Sequence, residues 1–284
     1  MTGMENHHFY IDNAGMPEVE TALRTLSLNR PLSAAIIHDM AERDFGQQMQ
    51  KDATYAPKRL EDLGLARRTG GSQSGYVLTA DGVILQGILL TDPLLAHELM
   101  HYRHFTSYAG HPEARKLLWS YRRCCQLVWT AGRLLEPGEV ASSIIGEMQD
   151  QFSDCLSNVG SEGQFRASAV NSVYRWLRQL QPCPLPPQRP VRYGEPIVKR
   201  ALRRPGLAGL ALDDYYRQRG MGYGERVIID DAVIDDLAQV FFSTSSSVLD
   251  GLTQLARVAR GIRTLETLSG TAVVLSLPFG MSDI

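Results

Sequence analysis

Three histidines and a glutamate form the segment of this chain best equipped for chemistry. His97, His101 and His104 are four and three residues apart, so on a helix they share one face. Glu98 completes the run His97-Glu98-Leu99-Met100-His101. In that His-Glu-x-x-His order two imidazoles can hold a zinc ion while the carboxylate activates water. Metal-assisted hydrolysis also needs a third protein ligand from further along the chain. Glu113 and Glu136 are the glutamates that could serve, but neither stands in a recognisable spacing, and Arg103 replaces the apolar residue expected two places after the second histidine. The competing account makes the histidines hydrogen-bonding groups beside an apolar stripe of Leu95, Leu99 and Tyr102. A short pattern recurs by chance, so the sequence favours this account, with no metal or cofactor expected.

A second set of side chains has the chemistry of phosphate recognition: Lys58, Arg59, Arg67 and Arg68. Long cationic side chains reach phosphate oxygens and guanine edges. Tyr55–Leu63 reads as a short helix that carries Lys58 and Arg59, with Pro57 in its first turn, Thr54 as its cap and Gln47–Thr54 as a looser approach. Gly64 suits a helix end. Leu65–Arg68 and Tyr76–Thr79 are strand-like, and six of the seven residues of Thr69–Gly75 are Gly, Ser or Thr, which makes a hairpin tip. Helix, Leu-Gly-Leu, basic strand, Gly-rich tip, aromatic-apolar strand and the Leu78-Thr79-x-x-Gly82 exit together resemble the winged helix-turn-helix domain. The resemblance implies that the Lys58 helix enters a major groove of double-stranded DNA while the Arg67-Arg68 wing lies along the backbone.

Composition bounds the rest. A chain of 284 residues with 44% apolar and 21% charged residues is globular and long enough for two or more domains. A formal charge of −2 counts mildly against a protein that coats nucleic acid and leaves room for a local basic patch. Four cysteines without Cys-x-x-Cys spacing argue against a disulfide framework or a four-cysteine zinc site. The first ten residues lack the order of a signal peptide and no apolar run reaches membrane-spanning length, so a soluble, cytoplasmic protein without membrane contact is expected.

The predicted fold is mainly α. Residues 1–90 form an N-terminal winged helix-turn-helix, with residues 1–16 irregular and scaffold helices at 17–28 and 32–43. Residues 91–181 form a central helical bundle. It runs from a helix opened by Asp92-Pro93 through Pro112–Leu135, Pro137–Leu156 and Gln164–Leu180, with Asn158–Gly163 as a loop and Trp119, Trp129 and Trp176 as core anchors. Residues 182–206 open with five prolines between Pro182 and Pro190 and continue in a basic run, the composition of a domain linker with a positive face. Residues 207–284 form a smaller C-terminal α+β unit with helices at 207–218, 231–242 and 247–260 and strands at 262–268 and 271–277. Its helix-helix-hairpin order suggests a second winged-helix-like copy, read as a packing or interaction unit.

Leu63-Gly64-Leu65, Leu78-Thr79 with Gly82, Asp92-Pro93 and His101-Tyr102 also occur in this order in an uncharacterised prokaryotic family. Its members are encoded beside DNA phosphorothioation and phage-defence genes. The resemblance covers about residues 17–108 and is interrupted at Gln47–Asp52. It implies a DNA-binding, non-enzymatic component of a regulatory or defence system, whose partners are double-stranded DNA and other proteins of a defence complex. Two further readings stand beside it: a zinc-dependent hydrolase using the HELMH segment, and a winged helix serving only as a protein-interaction module.

Overall fold

Three short helices lead into a hairpin at the N-terminal end. The computed structural model describes residues 15–47, 55–70, 74–110, 116–156, 165–187, 190–267 and 270–284. Thr54 and its approach, the wing tip at 71–73, Glu113 and the Asn158–Gly163 loop lie outside these residues. The described chain is mainly helical, with two small antiparallel sheets.

Helix α1 (Met16–Thr25) starts with proline in its first turn, and the Glu18 carboxylate accepts from the Gly15 backbone N–H at 2.9 Å. Helix α2 (Ala34–Phe45) is capped by the Ser33 hydroxyl, which accepts from the Ile36 N–H at 3.3 Å, and ends where Gly46 turns left-handed. Helix α3 (Tyr55–Asp62) passes through a left-handed Gly64 into β1 (Ala66–Thr69), which pairs antiparallel with β2 (Gly75–Leu78). Leu32 bridges Tyr76 on the free edge of β2.

The Leu78-Thr79-x-x-Gly82 exit has a packing reason. The Thr79 hydroxyl donates to the Gly64 carbonyl at 2.7 Å and accepts from the Gly82 N–H at 3.1 Å, so one side chain joins the turn after α3 to the start of α4 (Ala80–Thr91). A Cβ on Gly82 would stand 1.9 Å from the Leu65 carbonyl oxygen.

Helix α5 (Pro93–Gly110) begins with the Asp92 carboxylate accepting from the Leu95 N–H at 3.1 Å, and packs against α4, α6 and α9. Helices α6 (Lys116–Ala131), α7 (Pro137–Leu156) and α8 (Ala167–Leu177) complete the central bundle. Two of the expected bundle helices end earlier in the structure. Helix α6 stops at Ala131, where Gly132 is left-handed and Arg133 bridges Pro196; α8 stops at Leu177 and a turn follows. Trp119, Trp129 and Trp176 are buried.

The C-terminal residues form α9 (Pro205–Arg219), β3 (Arg226–Ile228), α10 (Asp231–Gln239), α11 (Ser245–Val258), β4 (Ile262–Thr267) and β5 (Gly270–Leu275), with sheet order β3-β5-β4. Strand β3 has no counterpart in the sequence reading. A short 3-10 helix at Met281–Asp283 returns to pack on α4.

The stretch read as a linker is tied down by main-chain hydrogen bonds. Gly194 and Glu195 bond Leu134, Ile197 bonds Gly132, Val198 bonds Pro184, and Arg200 bonds both Phe242 and Thr244. One of its cations, Arg200, is only 4% exposed, so the expected positive face is smaller than composition suggests. A single apolar cluster runs from Met16 through the bundle to Met281. The strap therefore lies across a core that is continuous from end to end. Among the described residues no helix is long and apolar enough to cross a membrane.

Candidate nucleic-acid interface and the histidine helix

Helix α3 divides its residues by face. Ala56, Arg59, Leu60 and Leu63, at spacings of three, four and seven, are buried, whereas Lys58 is exposed. Arg59 is 1% exposed, and its guanidinium faces Asp62 at 3.7 Å. This corrects its expected role: it stands on the apolar side of its helix and offers no base contact in this structure. The spacing that carries Leu60 and Leu63 inward was already visible in the sequence and places Arg59 with them.

Arg67 and Arg68 project from β1 and are exposed; they face Val77 and Tyr76 across the hairpin. Among the described residues none of Lys58, Arg67 and Arg68 is held in an ion pair. The turn between α3 and β1 is braced from behind by Arg103, which sequence reasoning considered only as an irregularity of the zinc pattern. Its Nε donates to the Leu63 carbonyl at 2.8 Å, and its guanidinium meets Asp81 at 3.2 Å. A residue of α5 thus fixes the end of the Lys58 helix.

The HELMH residues do not converge. His97 bonds the Glu20 carboxylate of α1 through Nε2 and approaches the Gln179 carbonyl with Nδ1 at 3.3 Å. His101 is committed elsewhere: Nε2 donates to the Val240 carbonyl at 2.7 Å, and Nδ1 accepts from the Tyr121 hydroxyl at 2.7 Å. Every ring nitrogen of these two histidines is engaged. Glu98, the would-be general base, is buried and forms a two-pronged ion pair with Arg200. Arg200 also donates from Nε to the Phe241 carbonyl at 2.9 Å. The segment is a fastening between the bundle and the C-terminal unit. Glu136 is exposed.

The other residues of the family resemblance do the same work. Asp92 pairs with Arg204 at 3.3 Å, and the Tyr102 hydroxyl donates to the Leu210 carbonyl at 3.3 Å while accepting from Arg217 at 2.9 Å. Asp-Pro and His-Tyr are structural pairs that anchor α5 to α9, α10 and the strap.

Burial lowers the basicity of two imidazoles. His101 is pushed down to about 3, first by desolvation and then by Arg200. His104 is held well below the ordinary range, also chiefly by desolvation; its ring stacks on Tyr121 at 4.7 Å and meets Trp176 edge-on at 4.3 Å. Among the described residues neither nitrogen of His104 has a hydrogen-bond partner. Below about pH 6.5 the unfolded chain protonates these histidines and the native chain does not, so stability is full above that pH and falls as pH drops toward the native values. Each contributes at most ~1.4 kcal/mol per pH unit in that window. A His104→Phe variant keeps the ring stack and removes one proton site and two unpartnered nitrogens. It should lose less stability than the parent between pH 7 and pH 5 in urea unfolding, and an unchanged pH dependence would contradict the buried neutral assignment.

No protein-family model matches this chain, and a search of curated proteins returns no match. Among solved structures the chain is similar to one described as "SspB crystal structure". The TM-score is 0.56 and the identity 12%, with 93% of this chain and 82% of that one covered. At that identity the likeness concerns the fold alone.

Proposed function

We propose that the chain is a DNA-binding, non-enzymatic component of a prokaryotic regulatory or phage-defence system, and that α1–α3 with Leu32, β1 and β2 act as a winged helix on duplex DNA. The observation that carries this reading is the trio Lys58, Arg67 and Arg68, exposed and, among the described residues, free of ion pairs, on one helix and its adjoining wing strand. The helix supplies a cation toward the groove and β1 supplies two on alternate faces of the wing, which can straddle the backbone, while Thr79, Gly82 and Arg103 hold the two elements together. Arg59 belongs to the support, not to the contact surface. A buried, ion-paired Glu98 favours this over hydrolysis through the HELMH segment.

A salt-dependent titration on duplex DNA tests it. Each phosphate contact removed flattens the slope of log affinity against log salt by about 0.9. The double change Arg67→Ala, Arg68→Ala should therefore lower the slope by close to two such steps. Lys58→Ala should cost roughly 1–3 kcal/mol on a preferred sequence if it reads a base, and one step of slope if it meets a phosphate. A separate observation bears on a second reading: Ile36 and Phe45, near opposite ends of α2, are 44% and 48% exposed, apolar side chains of the kind a protein partner covers. Unchanged binding in all three substitutions, with folding intact, decides for that protein-interaction module.

A further inference from the structure

The C-terminal unit repeats the N-terminal one down to individual residues. Each runs helix, extended segment, two helices, hairpin, and in each the last strand is central: β5 lies between β3 and β4, and β2 between Leu32 and β1. In both hairpins the first strand opens with an apolar residue opposite leucine, Ala66 with Leu78 and Ile262 with Leu275. In both the next residue is arginine opposite valine, Arg67 with Val77 and Arg263 with Val274.

Arg226 of β3 faces the same Val274 from the other side. Directly paired residues project from one face of a sheet, so Arg226, Val274 and Arg263 form a row, and both arginines are exposed. Arg257 in the last turn of α11 and Arg260 in the turn before β4 are exposed as well. The run Arg257–Arg263, RVARGIR, holds three arginines and no acid. Among the described residues none of the four is held in an ion pair, whereas Asp235 and Asp236 of α10 are matched by Lys199 at 4.0 Å and Arg219 at 3.0 Å. Asp250 is the exposed acid of α11, beside exposed Thr253 and Gln254.

We infer that Arg226, Arg257, Arg260 and Arg263 make a second phosphate-contacting face, with which the C-terminal unit holds the backbone of duplex DNA. Four exposed cations with no ion-pair partner among the described residues, on the end of α11, the turn after it, β4 and β3, complement a polyanion, and Thr253 and Gln254 add neutral donors of the kind that position a protein on a duplex. The inference rests on the reading that this chain binds DNA, and assigns it two contact faces where that reading needs one.

The full chain is titrated with a duplex at several salt concentrations in three forms: parent, Arg67→Ala with Arg68→Ala, and Arg257→Gln with Arg263→Gln. If both faces act, each pair flattens the slope by about 1.8, and across a fourfold rise in salt each pair accounts for roughly tenfold of the affinity change. A slope lowered by the first pair alone overturns the second face and leaves the proposed function standing. A slope lowered by the second pair alone supports the second face and overturns the N-terminal assignment. A parent that does not bind duplex at low salt overturns both. The substituted positions are exposed, so urea midpoints should match the parent; a shifted midpoint in the Arg257, Arg263 form moves the test to Arg226→Gln with Arg260→Gln, read by the same slope.

Discussion

Glu98→Gln should destabilise the protein by about 3–5 kcal/mol, the cost of breaking a buried ion pair by removing one partner. Glu98 and Arg200 side chains are 2% and 3% exposed, and the guanidinium meets both carboxylate oxygens. Glutamine keeps the shape but removes the charge, and its amide nitrogen presents hydrogens to a group that has only hydrogens to offer. Arg200 has few ways to escape. Its Nε is bonded to the Phe241 carbonyl, its own N–H to the Phe242 carbonyl, and its carbonyl to the Thr244 N–H. The strap would have to lift from the C-terminal unit for the charge to reach water. Replacing both partners with apolar residues of similar volume, Glu98→Leu with Arg200→Met, should cost far less than either single change, because desolvation of the two ions is then removed along with their attraction. Urea midpoints for the two singles and the double close the cycle. A Glu98→Gln midpoint within about 0.5 kcal/mol of the parent would mean that the pair is not the fastening described here.

That pair also marks where the sequence stops being informative. Helical spacing, Asp92-Pro93 and the paired apolar strands match most of the described elements, because caps, turns and periodicity are local. The HELMH pattern was equally local and pointed elsewhere, since its chemistry depends on what faces it. Arg200 lies 102 residues away in a stretch whose prolines and cations read as linker, and no local signal says that one of those cations turns inward. Strand β3 escaped notice because three residues carry too little pattern; it exists through its pairing with β5. Arg59 is different. Its burial is legible from the Ala56, Leu60 and Leu63 spacing, which puts Arg59 on the apolar side of the helix whatever its charge.

Two alanine substitutions in one helix should have opposite signs. Gly82 and Gly87 both lie in α4, where exchange of glycine for alanine ordinarily gains up to ~1 kcal/mol in helix propensity. At Gly87 a Cβ meets nothing within 4 Å, so Gly87→Ala should realise much of that gain. At Gly82 the same atom would sit 1.9 Å from the Leu65 carbonyl oxygen and 3.2 Å from a Leu78 methyl carbon. The obstacle is backbone, which no rotamer change can clear, so Gly82→Ala should cost about 1–3 kcal/mol, toward the upper end of what overpacking exacts. Relief requires α4 to move off the turn that joins α3 to β1. That motion also pulls Thr79 away from the Gly64 carbonyl and releases the wing from the Lys58 helix. The variant should therefore lose hydrogen-exchange protection in β1 and β2 ahead of the bundle, where α5 to α8 keep their packing. Stabilisation by both alanines, or loss of protection spread evenly over the chain, would mean that α4 does not set the angle between helix and wing.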